Sequence, residues 1–184
     1  ARLFTNDVIG DGRDRWRSGS VTSSRAYGFD RNGQAPEKFG DLLELRIQGQ
    51  IMTPEDLKTV DTDDRPWAGA LSVGLHSHMS YGGAEVAVGA DIVVIGPQTG
   101  LGSFQQNLHD LISAPQPSDN VLDLQIGDAI RPTVVAEIGK QYQLGDAASL
   151  RPFAEVRAGD ETLGRIGADL TFGLAGHQEL LVRE

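Results

Sequence analysis

The chain has 184 residues, no cysteine, 23 glycines, 16 basic and 26 acidic side chains, and a formal net charge of −10 at pH 7. That length suits one domain with a core, and 39% hydrophobic with 23% charged residues excludes a disordered tail. A pI near 4.8 argues against nucleic-acid binding, which needs a basic surface, and the lack of cysteine excludes thiolate zinc sites, disulfides and thiol nucleophiles, as fits an oxidising compartment.

Segments 3–8 and 18–29 are weak strand candidates. From Leu43 to Ile51 the alternation is strict: Leu43, Leu45, Ile47, Gly49 and Ile51 oppose Glu44, Arg46, Gln48 and Gln50, as in a strand with one apolar and one polar face. Trp67, Leu71, Val73, Leu75 and Met79 form the next apolar row, opposite Ala68, Ala70, Ser72, Gly74, His76 and His78. Val86, Val88, Ala90, Ile92 and Val94 then oppose Glu85, Gly89 and Asp91. The second half repeats the pattern over Val134–Ile138, Pro152–Ala158 and Ile166–Phe172, and a further piece begins near Glu179. Turn-rich loops cover 10–15, 30–41 with Asn32-Gly33, and 53–65, where the charge run 61–64 reads as solvated.

One stretch breaks the alternation. After Gly96-Pro97-Gln98-Thr99-Gly100, the residues Phe104, Leu108, Leu111 and Ile112 recur at three-to-four spacing and predict a short helix over 103–112. Ser103 with Gln106 is a capping-box pair expected to start it, and Pro115 and Pro117 are expected to end it.

No run of 18 apolar residues exists, so no helix is expected to span a membrane. The strand pattern itself has two readings. In a soluble sandwich the apolar faces point inward; in a transmembrane barrel they meet lipid while the polar faces line the lumen. Many polar-face residues are small (Ala70, Ser72, Gly74, Gly89, Gly139, Gly167) and sit among charges of both signs, as a crowded lumen requires. Lysine, common on solvated faces, occurs only at 38, 58 and 140.

Candidate chemistry is sparse. Gln105 and His109 are four apart and project from one side of the predicted helix. His76 and His78 share a strand face, where they either ligate a metal or fill a lumen. Asn6-Asp7 before a Gly/Asp loop offers hard oxygen donors suited to Ca²⁺, or an ordinary Asx turn. No GxSxG, HExxH or P-loop motif is present, and Gly96 to Gly100 is not followed by the Gly-Lys-Ser/Thr of a phosphate cradle.

Several segments taken together carry a resemblance. Asn6-Asp7, Asp14-Arg15-Trp16-Arg17-Ser18-Gly19, Thr53-Pro54-Glu55-Asp56, Asp64-Arg65-Pro66-Trp67-Ala68-Gly69 and Gly96-Pro97…Gln105…His109 occur in the order and spacing of the lipid A 3′-O-deacylase family of Gram-negative outer membranes. The resemblance implies an all-β, antiparallel, transmembrane β-barrel, twelve-stranded in the family, that uses Ca²⁺ to hydrolyse the 3′-linked acyloxyacyl ester of lipid A. It implies His109 as the base that activates water, with Gln105 beside it. Asn6 and Asp7 would hold the Ca²⁺, and Lys58 matches a family lysine in the loop before DRPxAG. Ser18 stands where the family has Thr; Gly19 replaces an Asn, and Pro115 occupies the approximate place of an acidic partner. A Ser18 or Ser103 nucleophile paired with His109 is the alternative chemistry, and a non-catalytic lipid-binding barrel the alternative function. The implied partners are lipopolysaccharide and outer-membrane lipids, with no nucleic acid, for a monomer in the bacterial outer membrane.

The opening ARLFTND lacks a charged n-region and an apolar h-region, so an exported form is expected to have lost its leader. About eight or nine strands are legible and bacterial barrels close with even numbers, so residues 1–184 are expected to be an N-terminal portion of one barrel domain lacking roughly three strands.

Overall fold

The computed structural model describes residues 1–6, 16–28, 35–145 and 147–173. In chain order they form β1 (Arg2–Asn6), β2 (Trp16–Tyr27), β3 (Leu43–Thr53), β4 (Ala68–Tyr81), β5 (Ala84–Ile95), a 3-10 turn (Pro97–Thr99), α1 (Leu101–Ile112), α2 (Asp119–Asp123), β6 (Ala129–Gly139), β7 (Tyr142–Gln143), β8 (Ala148–Ala158) and β9 (Leu163–Phe172). All pairings are antiparallel within one nine-stranded sheet, each long strand beside its successor, with the short β7 also on β8. The sheet curls into half a barrel. The expected piece near Glu179, the loop 7–15 and Asn32-Gly33 lie outside the described residues.

The polarity of the strands decides between the two readings. Val21, Ile47, Val73, Leu75, Ile130, Val134 and Val156 are exposed, whereas Thr22, Ser24, Glu44, His76, Asp91, Thr133 and Glu155 are buried. A water-soluble sandwich would do the reverse. Apolar side chains outside and paired polar ones inside is the arrangement of a barrel in lipid, and the sandwich is set aside.

Inside, the charges are paired across strands. Glu44 accepts from Arg46 Nη2 at 2.9 Å and lies 2.8 Å from His78 Nε2. His76 Nε2 is 3.1 Å from Asp91 Oδ1, so each of the two neighbouring histidines faces its own carboxylate. Arg151 on β8 reaches Glu85 on β5 at 2.5 Å, Glu137 on β6 at 2.8 Å and Asp169 on β9 at 3.6 Å. One guanidinium thus ties three other strands. The small residues make the room. Gly74 lies opposite Asp91 and Gly89 opposite His76, and a Cβ on either would collide with the partner's side chain.

The helix departs from expectation at its start. α1 begins at Leu101, with Gly100 as N-cap at φ +69° and no side-chain cap. Ser103 sits inside the first turn and does not begin the helix with Gln106. The preceding 3-10 turn already sets the chain direction: Gly100 N bonds Pro97 O and Phe104 N bonds Gly100 O, both at 3.0 Å. A positive φ there suits glycine.

β4 and β5 are joined by the tight Gly82-Gly83 turn at one rim, and the connections 54–67 and 96–128, the second holding both helices, rise from the opposite rim, as long exterior loops do in outer-membrane barrels. Mid-belt Val73→Arg is expected to lower the unfolding free energy by about 2–4 kcal/mol, measured by urea titration of protein folded into phospholipid vesicles. Val73→Leu should stay near wild type.

Candidate active site on the outer wall

The segment Gly96 to Gly100 is a built turn that sends the chain back over the wall. Gly96 N donates to Gly69 O at 3.0 Å, and Thr99 Oγ1 donates to Gly96 O at 2.7 Å. Gln98 N bonds Asp128 Oδ1 at 2.8 Å, while Gln98 Nε2 bonds Ile95 O at 3.0 Å, which closes the loop at its base. Gly69 belongs to the outward row of β4, since Leu71, Val73 and Leu75 follow it at intervals of two and are exposed. A Cβ on Gly69 would press on Leu101, Trp67 and Thr99. The start of α1 therefore lies on the exterior face of the barrel, at the rim.

Trp67 is the wedge between wall and helix. It is wholly buried, its Nε1 donates to Gln105 Oε1 at 2.7 Å, and its carbonyl accepts from Ile126 N at 2.9 Å. The sequence pattern puts Trp67 in the exposed apolar row of β4. It is instead covered, because the strand begins one residue later and α1 folds over the indole. Gly102 packs on Leu122 and the same indole. Gly102, Gln105 and His109 recur at helical spacing on the wall side of α1, whereas Phe104, Leu108, Leu111 and Ile112 are exposed.

His109 is half-buried, and its Nδ1 lies 2.6 Å from the carbonyl oxygen of Pro115. A carbonyl only accepts, so this contact puts the ring proton on Nδ1 and the basic lone pair on Nε2. Pro115 thus supplies through its backbone an orienting acceptor at the place where the resemblance implies an acidic side chain. Ser113 at φ 55° turns the chain at the end of α1. The connector is then strapped down along the helix by Gln106 Nε2 to Pro117 O at 3.2 Å and by Gln116 Nε2 to Asp110 Oδ1 at 3.3 Å.

The other proposed site residues lie on two neighbouring pieces of the same rim. Lys58 is exposed on the 54–67 loop, and its carbonyl accepts from Ser118 Oγ at 2.9 Å, which docks that loop on the connector that holds His109. Asp64 clips the two ends of the loop together, accepting from Glu55 N at 2.6 Å and Arg65 N at 2.7 Å. Ser18 is buried beside a bulge in β2, its hydroxyl bonded to that of Thr53 at the end of β3. The backbone of Asn6 pairs with Gly19, Gly19 with Ile51, and Ile51 with Gly69. This cross-strand row, three steps of about 4.8 Å, puts the end of β1 about 14 Å along the wall from the foot of α1. Asp7 lies outside the described residues. Trp67, Thr53 and the Pro115 carbonyl escape a sequence reading of the site, although Trp67 and Thr53 stand within the motifs quoted above.

Two outcomes follow. Gln105→Leu strips the buried indole N–H of its acceptor and is expected to cost about 1–3 kcal/mol in urea unfolding, while Gln105→Glu keeps an acceptor and most of the stability. In the exposed loop, the carboxyls of Asp56 and Asp64 are held below their ordinary value of 3.8, chiefly by the backbone N–H of Lys58 and of Glu55 respectively. A depressed carboxylate adds stability above its unfolded value and loses it as pH falls through its folded value. The protection of the Glu55, Lys58 and Arg65 amides, taken as the ratio of intrinsic to observed exchange rate, is thus expected to hold at pH 5 and to fall only below about pH 4.

A family model described as outer membrane protein LpxR matches residues 4–173. No curated protein sequence matches the chain. Among solved structures, LpxR from Salmonella typhimurium superposes with a TM-score of 0.73 at 18% identity, over 98% of this chain and 69% of that one. The likeness in structure shows a shared barrel fold, and the family model, which spans nearly the whole sequence, identifies the chain as a member of the LpxR family of outer membrane proteins.

Proposed function

We propose that this outer-membrane protein is a monomeric, Ca²⁺-dependent ester hydrolase that removes the 3′-linked acyloxyacyl group of lipid A with a water activated by His109. The observation that carries the reading is the seat of His109. The foot of its helix stands on the exterior wall at the rim, and helical spacing puts His109 on the side of Gln105, whose amide meets Trp67. An acylated lipid in the surrounding leaflet has its ester linkages at this height, between apolar belt and exterior loops.

The chemistry suits the residues. In the tautomer held by Pro115, Nε2 takes a proton from water as the oxygen attacks the ester carbonyl, and later returns it to the departing sugar oxygen. The products are one carboxylic acid and one alcohol, so water is the only co-reactant. Gln105, fixed by the indole of Trp67, holds the helix at a constant height above the wall. Lys58 supplies positive charge beside an anionic head group. Asn6 and Asp7 bring an amide and a carboxylate oxygen, and such an oxygen-only donor set fits Ca²⁺. Bound there, the ion would supply Lewis-acid stabilisation of the carbonyl oxygen, which makes a GxSxG nucleophile unnecessary.

The test is the release of fatty acid from labelled lipid A, with Ca²⁺ or with EDTA. His109→Ala is expected to lower the rate by about 10²–10⁴, and Ser18→Ala and Ser103→Ala to leave calcium-dependent turnover close to normal. Loss of turnover in either serine variant would point to a serine nucleophile, and release indifferent to EDTA would exclude the calcium reading. Gly19, standing where the family has Asn, favours a second reading as a non-catalytic lipid-binding barrel. That reading wins if lipid A in cells is the same with wild type and His109→Ala.

A further inference from the structure

The outer side of α1 inverts the usual rule for a surface helix. It buries Gly102 and Gln105 and shows Phe104, Leu108, Leu111 and Ile112, with Leu111 82% exposed. No charged residue interrupts this arc; Asn107 is its polar member, and Ser103 and Asp110 fall on one flank. Leu124 and Ile126 add exposed apolar surface on the same loop. In water such a patch marks an interaction surface.

What covers it follows from what adjoins it. The strands show the same inversion, and there the apolar side meets lipid. Leu101 packs on Gly69, and Gly69 heads the outward row that continues through Leu71, Val73 and Leu75. The foot of the helix therefore stands two residues, roughly 7 Å, above the first exposed leucine of the belt. A helix of 12 residues with an uncharged apolar arc, set on the edge of a lipid belt, has the make-up of one that lies in the membrane interface.

We propose that α1 is an interfacial helix whose Phe104–Leu108–Leu111–Ile112 face is sunk among the acyl chains of the leaflet around the exterior rim. The helix is then held from two sides, by Trp67 beneath and by lipid outside. The inference concerns the seating of the loop in the membrane and does not depend on hydrolase activity.

Residues 1–184 hold no cysteine, so a cysteine placed in α1 is the one label site within them, any cysteine elsewhere in the full-length protein being replaced by serine. Bimane is attached at Phe104→Cys, Leu111→Cys or Ser103→Cys in the full-length protein, which is folded into vesicles of phosphatidylethanolamine and phosphatidylglycerol. Labels at 104 and 111 are expected to lose about half their emission to lipids bearing a nitroxide high on the acyl chain, and little to aqueous iodide. The label at 103 should do the opposite. Iodide quenching at 104 and 111 equal to that at 103 would overturn the proposal. So would emission at 104 and 111 that follows protein density in the vesicle, which would assign the face to a second copy of the chain.

Discussion

The fold rests on one constraint: in the middle strands the charged side chains pair with one another inside the curl of the sheet, because the apolar rows outside face hydrocarbon. Arg151 shows what that demands. Its guanidinium meets carboxylates from β5, β6 and β9, so the lateral order of four strands is written into one cluster. Such pairs contribute little net energy once desolvation is counted. Their effect is on specificity, since a register slip by one residue would carry the charges into lipid and the valines into the lumen. The glycines opposite Asp91 and His76 belong to the same constraint, because a lumen this crowded has no room for two long side chains at one level.

The functional loop obeys the rule and uses it. A helix that packed its leucines on the wall would hide them from lipid and turn its polar residues outward, away from the barrel. α1 does the opposite. The indole of Trp67 takes over the packing, and its hydrogen bond to Gln105, with Leu101 on Gly69, sets the rotation of the helix. Once that rotation is set, His109 falls on the same side as Gln105 as a consequence of helical spacing. Loop and connector are then knitted through backbone carbonyls: Ser118 Oγ donates to Lys58 O, Ser118 N to Leu57 O, and His109 Nδ1 to Pro115 O.

Most of the sheet is legible in the sequence, since a period of two is a direct consequence of strand geometry. The rows from Leu43, Leu71 and Val134 and the places of His76 and Asp91 on the opposite, polar face can be read residue by residue. The choice between sandwich and barrel cannot be read that way, because periodicity gives the two faces without saying which is wet. The two-residue β7 and the five-residue α2 are too short to leave a pattern. The site was legible only as pieces. Gln105 and His109 are adjacent by helical arithmetic, but the covering of Trp67 depends on α1 folding back, which no local pattern encodes. The acceptor of His109 Nδ1 is a backbone carbonyl, which a sequence does not mark.

The inverted polarity of β4 is the claim from which the wall, the seat of α1 and the facing of His109 all follow. Spin labels placed singly from residue 70 to residue 78, in protein folded in bilayers, measure it by collision with oxygen and with a water-soluble nickel chelate. Oxygen contact should peak at 71, 73 and 75, with every intervening position sheltered from it. Oxygen contact peaking at 70, 72 and 74, or nickel contact peaking at 71, 73 and 75, would turn the barrel inside out and contradict the account.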